Sequence, residues 1–394
     1  MKNLKRIKTS SIAIVVMTLK YLLEQCALIE YSSVVDTIIV FLYLMCCIYN
    51  IIMSKYNTRN LILIGTLLSL FLFSAYRSTN SALLITFLYI TGMRKCNIDD
   101  TVKTMYNVYK FFIPVCAAAS IIMSLLGKTK LSMVIGGRIR YTFGFIHPNS
   151  LGAIILSLVL MYCWINYDKM NPKMYSKIII IETITYILTK SRTSYLCFIV
   201  FILGVWITKK NNINFNKAID SLAHVLFPCL AILTYSLAKL YKSSNHFILL
   251  IDSALTGRIR LAAYALQRSG VTWLGRKIDY FGNIGYQSSW DMSVFTFDNL
   301  YSLLLINVGI VYVLVLSIAI YVATKKLHTR ENVFVVIWII YGFTEVSALN
   351  GYAMFPIFLL TAIFQSGFSC ETTKKRQIKK LYKIPAINYN FNRL

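Results

Sequence analysis

Apolar runs of roughly 15 to 22 residues recur along the chain, each closed by a short polar or charged stretch. About 20 helical residues are enough to cross the hydrocarbon of a bilayer, so each run predicts a membrane-spanning helix. The runs lie at 11–29, 34–53, 60–76, 80–93, 109–127, 149–167, 177–190, 194–208, 221–240, 299–323, 332–349 and 352–368. Twelve spans predict an all-α polytopic membrane protein, a single transmembrane domain over 1–394. One large loop, 241–298, separates the ninth and tenth spans, and a basic tail covers 369–394.

Twelve spans place alternate loops on opposite sides, and charge sorts the two sets. The tail "MKNLKRIK", the loops "SKYNTR", "MRKCNIDDTVKTMYNVYK", "NYDKMNPKMYSK", "TKKNNINFNK" and "TKKLHTREN", and the C-terminal tail hold 20 Lys and 6 Arg of the 41 basic residues. Short basic loops stay on the cytoplasmic side, so both termini are expected there and the 241–298 loop outside. A single set of scattered lysines explains most of the net charge of +26. That charge is an orientation signal with attraction to anionic lipid, and it is not a nucleic-acid footprint.

Composition agrees: 57% of residues are hydrophobic, 14% are charged, and mean hydropathy is +0.62. The first apolar run has no small-residue cleavage site before Glu24 and reads as a span, not a cleaved leader. Of nine cysteines, Cys46, Cys47, Cys116, Cys163, Cys197 and Cys229 fall in apolar runs, and no pair has CxxC spacing. They read as small buried hydrophobes, and neither a metal site nor a cofactor is suggested.

Arginine departs from this pattern. Eight of the 14 arginines, Arg77, Arg138, Arg140, Arg192, Arg258, Arg260, Arg268 and Arg276, fall on the outer side, where topology gives them no role. External acids such as Glu24, Glu30, Asp252, Asp279, Asp291 and Asp298 are too few to neutralise the cations there. A guanidinium presents a planar fork of donors that matches phosphate oxygens, so an external lipid phosphate or pyrophosphate is the natural partner.

Four stretches carry this chemistry. In "RYTFGFIHPNSLG", Pro148 suits a first helical turn and Asn149 or Ser150 can cap it. The helix N-terminus favours an anion and a neutral His147, with Arg140 near the same mouth. "TKSRTSYL" is a tight turn that holds Arg192 at headgroup depth. In "LTGRIRLAAYALQRSG", Leu255, Ile259, Ala262 and Leu266 repeat at helical spacing. They predict an amphipathic helix carrying Arg258 and Arg260 against the membrane or over a cavity. "FDNLYSLLL" puts Asp298 and Asn299 where the loop re-enters the bilayer, Asp298 acting as a helix cap or as a base. Glu182 and Glu345 fall inside apolar runs, where a carboxylate is either protonated or paired with an arginine.

In order, R-x-T-F-G-F-x-H-P-N-x-L-G, T-K-S-R-T-S, T-G-R and D-N-x-Y resemble the O-antigen polymerase and ligase superfamily, most closely a Wzy-type polysaccharide polymerase. The resemblance spans about residues 60 to 365. It implies a GT-C-like glycosyltransferase of the bacterial cytoplasmic membrane that needs no metal and no cofactor. The substrates it implies are polyprenyl-pyrophosphate-linked oligosaccharides joined on the outer face, alongside a flippase and a chain-length regulator. The residues it implies are Arg140, Arg192 and Arg258 for the pyrophosphate; Asn149, Arg260 and Asn299, in the same stretches, are further candidate substrate-binding residues. Ligase relatives carry a histidine where Asp298 stands, which leaves His147 or Asp298 as the base and points to polymerase over ligase. The rival readings are a ligase and a flippase or secondary transporter.

Overall fold

A computed structural model describes residues 2–364 except 55, 93–96, 136, 211, 242–245 and 279–296, and it does not describe the side chains of residues 2–8. The basic tail 369–394 and the end of the last apolar run lie outside the described residues.

Helices occupy the apolar runs: α1 (Lys2–Glu24), α2 (Ser33–Ile52), α3 (Thr58–Ser78), α4 (Ala82–Gly92), α5 (Ile98–Leu125), α6 (Pro148–Asn166), α7 (Pro172–Thr189), α8 (Arg192–Lys209) and α9 (Ile213–Leu240). Their starts are set by short polar side chains that accept the first free backbone amides. Ser32 caps Val35, Asn97 caps Asp99, Asn171 caps Met174, and Asn212 caps Asn214. Pro148 and Pro172 sit at first helical positions, where a missing N–H leaves no bond unmade.

The loop expected at 241–298 contributes α10 (His246–Ala254) and α11 (Arg258–Ser269). After it come α12 (Leu300–Leu303), a π-turn over Leu304–Val308, α13 (Ile310–Thr324) and α14 (Thr329–Gly342). Two 3-10 segments, Val346–Leu349 and Phe355–Phe364, close the described chain. A hairpin of β1 (Ser132–Ile135) and β2 (Arg138–Tyr141) stands between α5 and α6.

Six helices, α2, α3, α5, α6, α8 and α9, are long and apolar enough to cross a membrane, and α4, α13 and Phe355–Phe364 are shorter apolar helices. The chain is a predominantly helical, membrane-embedded protein. Exposure separates its layers. Ile38, Phe41 and Met45 on α2, Ile62 and Phe73 on α3, and Phe111 and Ile122 on α5 face outward, as lipid-contacting side chains do. α6, and α14 beyond its polar first turn, are apolar all round and are buried on nearly every side, which makes them the centre of the bundle.

Two expected spans are modified. The run 299–323 is broken at Gly309, whose φ of +120° suits glycine alone and whose missing Cβ would stand 2.5 Å from the Trp273 carbonyl. The segment 272–276 lies in the gap and restores the lost bonds: Thr272 N donates to Leu305 O, Arg276 N to Asn307 O, and Ile310 N to Thr272 O. Irregular backbone at membrane depth is stable only when protein satisfies it in this way. The run 332–349 stops its α-helix at Gly342, and the 3-10 segments beyond are tied down by aromatic donors. Trp338 Nε1 donates to Ala348 O at 2.6 Å and Tyr109 Oη to Tyr352 O at 2.6 Å.

The two ends of the bundle differ. At one, Arg330 donates to Trp164 O, stacks on Tyr167 and pairs with Asp168, while Asp220 accepts from Thr329 and Asn332. The other end carries the hairpin, α10 and α11, and nearly all the residues singled out from the sequence.

Candidate functional site

Arg140 leaves strand β2 and reaches across the hairpin end. Its Nε donates to the Thr189 carbonyl at 2.7 Å, and its terminal nitrogen donates to the Asn149 side chain. The sequence placed a cap for α6 at Asn149 or Ser150; the structure gives it to His147, whose Nδ1 accepts from Asn149 N at 3.1 Å. With Nδ1 accepting, the proton of the neutral ring belongs on Nε2, which is then a donor and not a base. Burial, and after it the Arg140 guanidinium, push the imidazole below its ordinary value.

The turn from α7 to α8 lies against this group. Lys190 closes α7 in the left-handed conformation, its N–H donating to Tyr186 O at 2.7 Å. Ser191, buried, packs on the first turn of α6, where a Cβ at Gly152 would meet its side chain at 2.8 Å. Arg192 follows at the first position of α8. It is exposed and makes no hydrogen bond or ion pair among the described residues.

One residue further, Thr193 lies close enough to the Glu345 carboxylate to favour its charged form. Glu345 in turn holds Arg258, at 2.9 Å. Arg258 is 5% exposed; its terminal nitrogens also reach Thr256 Oγ1 and Leu255 O, while its Nε has no partner among the described residues. Asp298 is partly buried and close enough to Glu345 for the two carboxylates to act on one another. Thus all four sequence stretches meet. The first touches the α7–α8 turn at Thr189 and Ser191, the third pairs with Glu345 through Arg258, and Thr193 and Asp298 lie within electrostatic reach of the same carboxylate.

Not every expected residue is offered to a ligand. Asn299 caps α12 by accepting from Tyr301 N and Ser302 N, and its Nδ2 donates to Phe343 O, so its polar atoms are occupied. The N-terminus of α11 already has its anion: the Asp252 carboxylate accepts from Ile259 N at 2.9 Å and Arg260 N at 3.0 Å. Arg260 is partly buried beside Tyr241. Arg138 is exposed two residues from Arg140 on the same strand, Arg276 is exposed and bonds Ser269 O, and Arg268 bonds Tyr264.

Thr193 and Tyr21 were not visible from the sequence, since neither carries a charge or breaks a pattern. Tyr21, on α1, lies within electrostatic reach of Glu345. Of the alternatives for the two membrane carboxylates, Glu345 takes the arginine. Glu182 is buried with Oε1 unbonded and joins no ion pair among the described residues.

The arrangement has a clear electrostatic sense. Arg138, Arg140, Lys190 and Arg192 stand around one turn with no carboxylate paired to any of them among the described residues. Such a cluster attracts a multivalent anion, and Arg258, held behind it, keeps one N–H unused. Among the described residues no three His, Cys, Asp or Glu side chains gather to hold a metal ion. Comparison with protein-family models, with curated proteins and with solved structures finds no match for this chain.

Proposed function

We propose that the chain polymerises polyprenyl-pyrophosphate-linked oligosaccharides on the outer face of a bacterial cytoplasmic membrane, as a GT-C-like glycosyltransferase with twelve spans and both termini inside. The observation that carries this reading is Arg192, exposed and without a hydrogen bond or ion pair among the described residues, on the turn that Arg140 contacts at Thr189.

In the reaction, an acceptor sugar hydroxyl attacks the anomeric carbon of the growing glycan. The bond from that carbon to the diphosphate breaks, and its electron pair leaves with the diphosphate oxygen. Arg140 and Arg192 face this growing negative charge, with Arg258 behind them holding Glu345, and fixed donors stabilise it most where it is largest. The hydroxyl proton goes to Asp298, whose carboxylate has no competing role as a helix cap because Asn299 takes that position. His147 supplies Nε2–H as a further donor to the leaving group.

One observation favours a second reading. An interrupted helix of the kind at Gly309 also occurs in transporters, where unwound backbone meets the cargo. Purified protein in vesicles without any ion gradient separates the two, because polymer forms only if the chain is the transferase.

The decisive variant is Arg192→Ala, since Arg192 holds nothing in place. Removing one such donor costs about 10² to 10³ in rate. Cells carrying it should accumulate single repeat units in place of long polysaccharide, with the protein still inserted. Long lipid-linked polymer left untransferred would indicate a ligase instead, and wild-type chain lengths would defeat the proposal.

A further inference from the structure

Beside the broken helix lies a cleft of about 310 Å³, lined among others by Lys20, Ser78, Asn80, Ser81, Asn307 and Asn350. It opens at the hairpin end, where α1 and α3 finish and α4 begins. Its chemistry differs from that of the arginine cluster. Its one cation, Lys20, is held twice over, by Glu24 and by Asp36 at 2.8 Å, and the described lining has no carboxylate. What remains are carboxamides and hydroxyls, groups that donate and accept without selecting a charge.

Asn307 makes the cleft a built site. It is wholly buried on the π-turn, and its Nδ2 donates to Ser78 O at 3.1 Å and to Arg276 O at 2.8 Å. Its Oδ1 has no partner among the described residues. A buried acceptor left unbonded costs about 1–3 kcal/mol, which a ligand hydroxyl would recover. Asn80 and Asn350 are oriented by bonds from Ala82 N and Tyr352 N to their Oδ1 atoms, and neither amide nitrogen bonds within the described protein.

Two short stretches join this cleft to the arginine cluster. Lys20 lines the cleft and the next residue, Tyr21, lies within electrostatic reach of Glu345; Asn350 lines it five residues after Glu345. A neutral, hydroxyl-rich compartment therefore adjoins one built for an anion, the pairing that glycosyl transfer to a sugar requires.

We infer that this cleft binds the acceptor saccharide, a neutral sugar whose hydroxyls bond Asn307 Oδ1 and the Asn80 and Asn350 amides. The inference rests on the polymerase reading for the word acceptor, while the binding itself is tested without it. The probe is a panel of neutral hexoses, 6-deoxyhexoses and N-acetylhexosamines, added to the purified full chain in lipid nanodiscs and read by saturation-transfer NMR.

At least one of these sugars should bind, and inorganic pyrophosphate should not displace it. Ser81→Trp, at an exposed position on the rim, fills the cleft and should weaken binding at least tenfold, and Asn307→Ala should do the same. Should Asn307→Ala fail to insert, Ser81→Trp decides alone. The inference is overturned if no sugar in the panel binds, if Ser81→Trp leaves binding intact, or if pyrophosphate displaces the sugar. Sugar binding together with normal polymer from Arg192→Ala would keep the cleft and sink the leaving-group assignment, so the two failures are distinct.

Discussion

His147 illustrates how a single side chain is committed by its backbone. The following proline forces it out of the helix, and its ring then replaces the asparagine or serine usual at that position. Because burial and Arg140 disfavour the charged ring, the folded protein binds this proton less readily than the unfolded chain does. The resulting stability is complete above about pH 6.5, the ordinary histidine value, and is lost as pH falls through the lower folded value. His147→Asn keeps an acceptor at the cap and removes the titration. Its melting temperature should therefore fall less than that of the native protein between pH 7 and pH 5, measured by thermal unfolding in detergent. An equal fall in both would show that His147 is not the titrating group. The Arg258 and Glu345 pair makes a second case. Glu345→Gln leaves a buried guanidinium without its counter-charge, a loss of about 3–5 kcal/mol, whereas Arg258→Met with Glu345→Leu recovers most of it. The same melts check this, and a double variant no better than the single would show that the pair is not coupled.

At the scale of the element, the sequence located helices well and breaks poorly, for a physical reason. Helix positions follow from apolar length and from local caps such as Asn171 and Asn212, both of which are written nearby in the chain. The break at Gly309 depends on the segment 272–276, more than 30 residues upstream, and the apolar run itself continues through it. The signal available was the polar Asn307 two residues before a glycine inside that run. The cap of α11 was hidden in the same way, because Asp252 lies beyond the turn that precedes the helix. Glycine substitutions test the difference. Gly309→Ala drives a methyl into the Trp273 carbonyl and into a conformation alanine avoids, so it should lower stability by several kcal/mol or abolish insertion. Gly65→Ala, in the middle of α3 with open space around its missing Cβ, should change stability by less than about 1 kcal/mol. Fluorescence-detected size exclusion after heating distinguishes them, and equal behaviour would mean that the break is not a structural requirement.

For the whole molecule, orientation depends on a count that no contact enforces. Lysines dominate the loops assigned inside, whereas eight arginines lie on the opposite set, and the bundle places Arg140, Arg192 and Arg258 together at one end. The other end ties its charges down through Arg330, Asp168, Asp220 and Lys209, which leaves them little to offer a ligand. Convergence of the four stretches could not be read from their spacing, since it is created by α7 and α8 folding back beside α6. Their chemical character could, because unpaired arginine outside the positive-inside pattern is itself a departure that demands a partner. If that logic is right, the hairpin end must face outward. In a variant with its native cysteines replaced, a cysteine at exposed Arg138 should react with a membrane-impermeant maleimide on intact cells. One at Lys217, in the first turn or so of α9, should react only after permeabilisation. The opposite pattern would put the arginines in the cytoplasm, where lipid-linked glycan assembled outside could never reach them.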